Sequence, residues 1–167
     1  MSEESNPTVV IETNRGAIEL EIYADKSPIT AANFLELVEK DHYDGLIFHR
    51  VIEGFMIQGG GFDRDMNQKM AKKTIKNESF NQVSNETGTI AMARTNDPDS
   101  ASAQFYINVV DNWGLDAQGT KAGYAVFGKV TRGMEVVRDI EKSETATEAG
   151  HPDVPVEKTV IHSVEIQ

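Results

Sequence analysis

The sequence predicts a mainly β fold, an antiparallel barrel or sandwich that carries two helices. Three observations lead there. Apolar residues recur with period two in many short segments, only two segments show helical spacing, and 167 residues suit one domain with a sizeable core. Closure into a barrel would also remove exposed sheet edges.

Val9 and Ile11 begin the alternation, which turns at Asn14-Arg15-Gly16 and resumes as Ile18, Leu20 and Ile22 around Glu19 and Glu21. This pattern predicts a hairpin with one wet face. Ser27-Pro28 predicts a helix start, the hydroxyl capping free amides and the proline sitting where no donor is needed. Ala31, Phe34, Leu35 and Val38 then supply an apolar stripe. Two strands follow at residues 48–51 and 55–58, pivoting on Glu53-Gly54, and period two sends His49 and Arg50 to opposite faces.

Residues 62–86 are polar and weakly patterned, which predicts a long ordered surface loop. Strands return at 89–94 and 104–110. In the second, Phe105, Ile107 and Val109 share one face while Gln104, Tyr106 and Asn108 share the other, a candidate working surface. A strand at 124–130, a helix at 134–142 with Val137 and Ile140 inward, and a closing strand at 159–166 complete the chain. The two helices are expected to plug the open ends of the sheet structure.

Residues 1–7 lack the basic start and apolar centre of a secretory signal, so they are read as a flexible tail on a cytoplasmic protein whose domain spans 8–167. A hydrophobic content of 39% contains no run near the roughly 18 residues of a membrane span. The absence of cysteine excludes disulfides, thiol nucleophiles and thiolate metal sites. A net charge of −11 argues against a nucleic-acid partner, and Lys69, Lys72, Lys73 and Lys76 read as a solvated loop face.

Several motifs carry ordinary readings. Gly59-Gly60-Gly61 matches neither phosphate-loop spacing and reads as a permissive turn. Histidines 42, 49, 151 and 162 have no metal-ligand spacing, so neither a metal nor a cofactor is expected, and His49 reads as structural. Asn77-Glu-Ser79 and Asn85-Glu-Thr87 are chance matches to a glycosylation pattern. An isolated Arg50 would read as a surface ion-pair partner, but Met56 and Gln58 follow on one strand and Gln104 and Tyr106 on another.

Phe48-His-Arg-Val51, Gly54-Phe-Met-Ile-Gln-Gly-Gly60, Met92-Ala93, Ala103-Gln-Phe105 and Val126-Phe-Gly128 occur together and in this order. Over residues 8–166 the chain resembles the cyclophilins, in their bacterial cytoplasmic branch. The resemblance implies a closed eight-stranded antiparallel barrel capped by two α-helices, with the active groove on its outer wall. It implies peptidyl-prolyl cis-trans isomerase activity on X-Pro-containing peptides and unfolded protein chains, by a monomer. It makes Arg50 the catalytic residue and Phe55, Met56, Tyr106 and Leu115 the lining of a proline pocket, with Gln58 and Gln104 positioning the peptide.

Arg94 then falls where backbone pairs with substrate, Ala93 and Thr95 flank an adjoining specificity pocket, and Tyr124 forms an aromatic wall. Phe55 would point away from Met56 on a regular strand, so a bend is expected between them. Tyr106 replaces the family's usual phenylalanine and brings a hydroxyl that needs a partner. Gly114 falls where the family has an aromatic residue, and Trp113 could supply the ring only by a one-residue shift. Weak cyclosporin binding follows, because that ring aids the inhibitor in the family.

Rotating an X-Pro bond costs about 18 to 20 kcal/mol of lost amide resonance but breaks no covalent bond, so neither nucleophile nor metal is needed. The nitrogen recovers its lone pair as the bond twists, and an arginine donor then holds it more strongly than in the planar amide. One charge-assisted hydrogen bond supplies roughly 1.5 to 3 kcal/mol, whereas a 10⁵-fold acceleration needs about 7 kcal/mol. An apolar, preorganised groove has to supply the rest. The alternatives are a non-catalytic proline-peptide binding module and a barrel holding a small apolar ligand; inward Phe105, Ile107 and Phe127 weigh against the second.

Overall fold

The computed structural model describes residues 6–167. The expected tail over residues 1–7 falls mostly on 1–5, outside the described residues. Strands β1 (Thr8–Thr13) and β2 (Gly16–Ile22) form the predicted hairpin, whose turn is closed by the Thr13 hydroxyl donating to the Gly16 carbonyl at 2.7 Å. After α1 (Pro28–Glu39) come β3 (Arg50–Ile52), β4 (Met56–Gly59), β5 (Thr89–Met92), β6 (Phe105–Asn108) and β7 (Val126–Arg132). The chain ends with α2 (Met134–Glu141), a separate hairpin β8 (Thr145–Glu148) and β9 (His151–Pro155), and β10 (Ile161–Ile166).

Eight strands pair antiparallel in the order β10-β1-β2-β7-β5-β6-β4-β3. The fold is mainly β with two helices, as expected, but the ladder is open: its terminal strands β10 and β3 do not pair, so the closed barrel is corrected to an open one. At the seam the irregular segment 45–48 divides its backbone between two partners. Gly45 N–H donates to Ile161 O, Ile161 N–H to Leu46 O and Phe48 N–H to Thr159 O, while Ile47 N–H turns to Phe62 O. A segment that alternates partners in this way cannot run a continuous ladder with either.

Side-chain alternation decides what lies inside. Val51, Ile57, Ile107 and Ile90 occupy directly paired positions on β3, β4, β6 and β5 and all enter one core. Phe34 from α1 packs among Tyr43, Phe105 and Phe127, with ring centroids 5.0 to 6.0 Å apart. Phe34, Phe48, Phe105 and Phe127 are fully buried, so aromatic bulk fills the interior where a ligand carrier would need space. On α2, Val137 and Ile140 are inward as predicted and pack beside β2, β3 and β4.

The start of α1 differs from its sequence reading. The Ser27 hydroxyl donates to Val126 O at 2.7 Å and makes no cap. Glu78 does the capping from within the long loop: its carboxylate accepts the amides of Ile29 at 3.1 Å and Thr30 at 2.7 Å, and the Thr30 hydroxyl at 2.7 Å. The β8–β9 hairpin was not legible because its residues show no apolar alternation; only Val154 and Pro155 of its strands are buried. Val154 covers a second small core of Ile47, Phe62 and Met66. Residues 62–86 therefore do more than cross the surface, since Phe62, Met66, Ser79 and Asn85 are buried.

Candidate functional site

Strand register assembles one face of the site. Arg50 pairs with Gln58, Gln58 with Tyr106, and Tyr106 with Ala91, so these four residues form a row across β3, β4, β6 and β5 on the side opposite the core. Arg50 Nη1 donates to Gln58 Oε1 at 3.2 Å, and Gln58 Nε2 donates to Gln104 Oε1 at 2.9 Å. This relay sets the guanidinium at the exposed rim and orients both amides.

Beside the relay lies a groove of about 220 Å³. Phe55, Met56, Tyr106, Leu115 and Tyr124 form its apolar surface, and Arg50, Gln58, Ala93 and Arg94 complete its lining. Thr95 and Gln104 line an adjoining cavity of about 250 Å³ together with Gln58, Ala93 and Arg94. Lys69 also lines this second cavity, donating to His42 O at 2.7 Å, so the lysine run is not wholly a solvated face.

The bend expected at Phe55 is present. Phe55 lies outside β4 and closes a turn by donating to Ile52 O at 3.0 Å, with Gly54 at a φ of +76°. Strand alternation starts only at Met56, which lets both side chains reach the groove. The triple glycine has two reasons behind it. Only Gly60 has a positive φ, +89°. At Gly61 a Cβ would lie 2.4 Å from the Gln104 side chain, and at Gly59 it would lie 2.9 Å from Ile47 O. The turn reading holds for Gly60, while its two neighbours are required by close packing.

The Tyr106 hydroxyl finds its partner in Asn85, donating to Oδ1 at 2.7 Å, and burial raises its pKa well above the ordinary phenol value. Its ring meets Tyr124 edge-on at 6.0 Å. Arg94 carries an unpredicted side-chain role: its guanidinium stacks over Tyr124 at 4.5 Å and donates to the carbonyls of Thr95, Ala122 and Gly123. Leu115 ends a short 3₁₀ turn that begins at Trp113. Leu115 lines the groove, whereas Trp113 is 53% exposed and does not, and a Cβ at Gly114 would point into open space. Neither residue supplies an aromatic ring to this groove.

His49 sits on the face away from Arg50, buried, with its ring 4.5 Å from Phe62 and its Nδ1 unpartnered. Burial, with His151 and Arg50 nearby, holds its pKa down to about 4. No cluster of three or more metal-ligating side chains occurs among the described residues. Asn85 and Asn112 escaped sequence reasoning as site residues. Asn85 stood out only as part of a glycosylation pattern, although its side chain is fully buried.

Residues 8–166 match the family of cyclophilin type peptidyl-prolyl cis-trans isomerases. The chain belongs to the cyclophilin family. This cyclophilin is 52% identical over 163 residues to a peptidyl-prolyl cis-trans isomerase of Acinetobacter baylyi, covering 98% of this chain and 87% of that one. It is 48% identical to peptidyl-prolyl cis-trans isomerase B of Escherichia coli, covering 95% of this chain and 98% of the other. A crystal structure of a Cryptosporidium parvum cyclophilin type isomerase superposes with a TM-score of 0.79 at 25% identity, covering 97% and 98% of the two chains. A second crystal structure of that protein, in the presence of the dipeptide Ala-Pro, gives 0.78 at 25% identity, covering 96% and 98%. The cyclophilin is a peptidyl-prolyl cis-trans isomerase with close bacterial relatives.

Proposed function

We propose that this cyclophilin turns X-Pro bonds in peptides and folding chains by seating the proline ring in the 220 Å³ groove beneath the Arg50 guanidinium. The observation that carries this reading is the row Arg50–Gln58–Tyr106, in which a cation and an amide border an apolar floor. Phe55, Met56, Leu115 and Tyr124 anchor the ring by apolar contact. Arg50 donates to the proline nitrogen as it becomes pyramidal, an interaction stronger in the twisted amide than in either planar isomer. Gln58, held by Arg50 and Gln104, directs an amide toward the rotating carbonyl, and Ala93, Arg94 and Thr95 border the peptide preceding proline. All of this is positioning and electrostatics, and no atom of the protein changes its covalent bonding.

The Ala-Pro dipeptide present with the Cryptosporidium structure supports a proline-containing ligand here. We take residues 8–167 as one domain that acts as a monomer in the cytoplasm; among the described residues no helix is long and apolar enough to cross a membrane. Cyclosporin binds weakly, since Gly114 presents no ring beside the groove; a tight complex in titration would contradict this.

Exchange spectroscopy on an Ala-Pro peptide tests the function. Catalysed cis-trans exchange is expected at catalytic protein concentration. Saturable binding with an exchange rate equal to buffer would establish a non-catalytic proline-peptide module instead.

A further inference from the structure

Four apolar residues of the groove reach it from separate parts of the chain: Phe55 from a turn, Tyr106 from β6, Leu115 from a 3₁₀ turn with no buried residue, and Tyr124 from a connection. All four are tied to one residue, Asn85: Tyr106 and Tyr124 bond its side-chain amide, while Phe55 and Leu115 reach its backbone carbonyl through Asn112. Asn85 Oδ1 accepts from the Tyr106 hydroxyl at 2.7 Å and from Asn108 Nδ2 at 3.1 Å. Its Nδ2 donates to Asp116 Oδ1 at 2.9 Å and to Tyr124 O at 3.3 Å. A carboxamide has two donors and two acceptor lone pairs, so this one is saturated and held in a single orientation.

The Asn85 backbone joins the same network. Its N–H donates to Asp116 Oδ1 at 2.7 Å, and its carbonyl accepts from Asn112 N–H at 2.8 Å. Asn112 in turn donates its side-chain amide to Phe55 O at 2.9 Å, and its carbonyl accepts from Leu115 N–H at 3.0 Å. Leu115 O accepts from Tyr124 N–H at 2.8 Å. Asn85 is itself fully buried, beneath the floor and out of reach of a bound peptide.

We infer that Asn85 is a positioning residue for prolyl isomerisation: acting through Tyr106, Asn112 and Asp116, it holds the floor and walls of the proline groove in their binding geometry. This rests on the isomerase reading above. Apolar contact with the ring exists in the planar and twisted amide alike, so the network acts on uniform binding. Loosening it raises KM and leaves kcat nearly unchanged, because each bound proline must first order the walls. A purely structural role behaves oppositely, since a smaller folded fraction lowers apparent kcat at unchanged KM.

The test measures KM and kcat for an Ala-Pro peptide in wild type, Asn85→Ala, Asp116→Ala and Asp116→Asn, with folding checked by circular dichroism. Asp116 lies at the end of a surface turn, so its variants remain informative if Asn85→Ala fails to fold. The expected result is a KM raised about tenfold in both alanine variants with kcat within about twofold. Asp116→Asn keeps an acceptor oxygen and recovers most of the loss. An unchanged KM in folded Asp116→Ala, or no recovery in Asp116→Asn, overturns the inference. If wild type proves not to catalyse exchange, the isomerase reading fails by itself, and the peptide's dissociation constant in the same variants then decides the role of Asn85.

Discussion

Arg50 and Gln58 face each other as direct partners on β3 and β4, and Arg50 Nη1 donates to Gln58 Oε1 at 3.2 Å. The arginine is thereby aimed by a neighbour on the adjacent strand, and among the described residues it forms no ion pair that would draw its charge away from substrate. Such an arrangement leaves the cation available to a developing lone pair.

Arg50→Ala is expected to keep the fold, because the side chain is exposed and outside the core. Turnover should fall roughly 10- to 100-fold, the equivalent of one charge-assisted hydrogen bond made in the twisted amide. Exchange rates on a folded variant decide it, and full activity would remove Arg50 from the mechanism.

Gly61→Ala tests the close approach behind the relay. A Cβ there would lie 2.4 Å from Gln104, so the Gln104 side chain must move and its bond from Gln58 must break. A loss in kcat/KM with little change in melting temperature is expected, whereas wild-type kinetics would show that the relay is dispensable.

Glu78→Ala should uncap α1 without touching the groove. Two amides and the buried Thr30 hydroxyl lose their acceptor, at a cost of about 1 to 2 kcal/mol. For a chain of this size that lowers the melting temperature by roughly 2 to 8 °C. Calorimetry should detect the drop while prolyl isomerase activity at 25 °C stays at the wild-type level.

His49 makes stability acid-sensitive. Its folded pKa, about 4, lies below the ordinary 6.5, so on acidification the unfolded chain takes up the proton first. The stability tied to neutral His49 is complete above about pH 6.5 and is lost as the pH falls toward 4, on the order of 3 kcal/mol over that window. His49→Phe retains an aromatic ring against Phe62 and should flatten the melting temperature across this range. Parallel profiles for variant and wild type would contradict the assignment.

Sequence alone determined the features that repeat locally or occur as contiguous blocks. Alternation in β1 and β2 assigned core and outer faces correctly, and in β6 it separated Phe105 and Ile107 from Tyr106, because period two is a property of the strand itself; Asn108, expected on the working surface, is instead fully buried and bonded to Asn85 and Thr89. The blocks around Arg50, Gln58 and Gln104 carried the family and, with it, the groove residues Arg50, Phe55, Met56, Gln58 and Tyr106 for the same reason, since each lies within a few consecutive positions. Tertiary structure alone decided the pairings between distant segments. The cap of α1 passed from Ser27 to Glu78, the two sheet ends remained unpaired, and the need of the Tyr106 hydroxyl was met by Asn85 from the long loop. A buried polar group requires a partner, but local sequence does not say which of the chain's many donors and acceptors the fold will bring within reach.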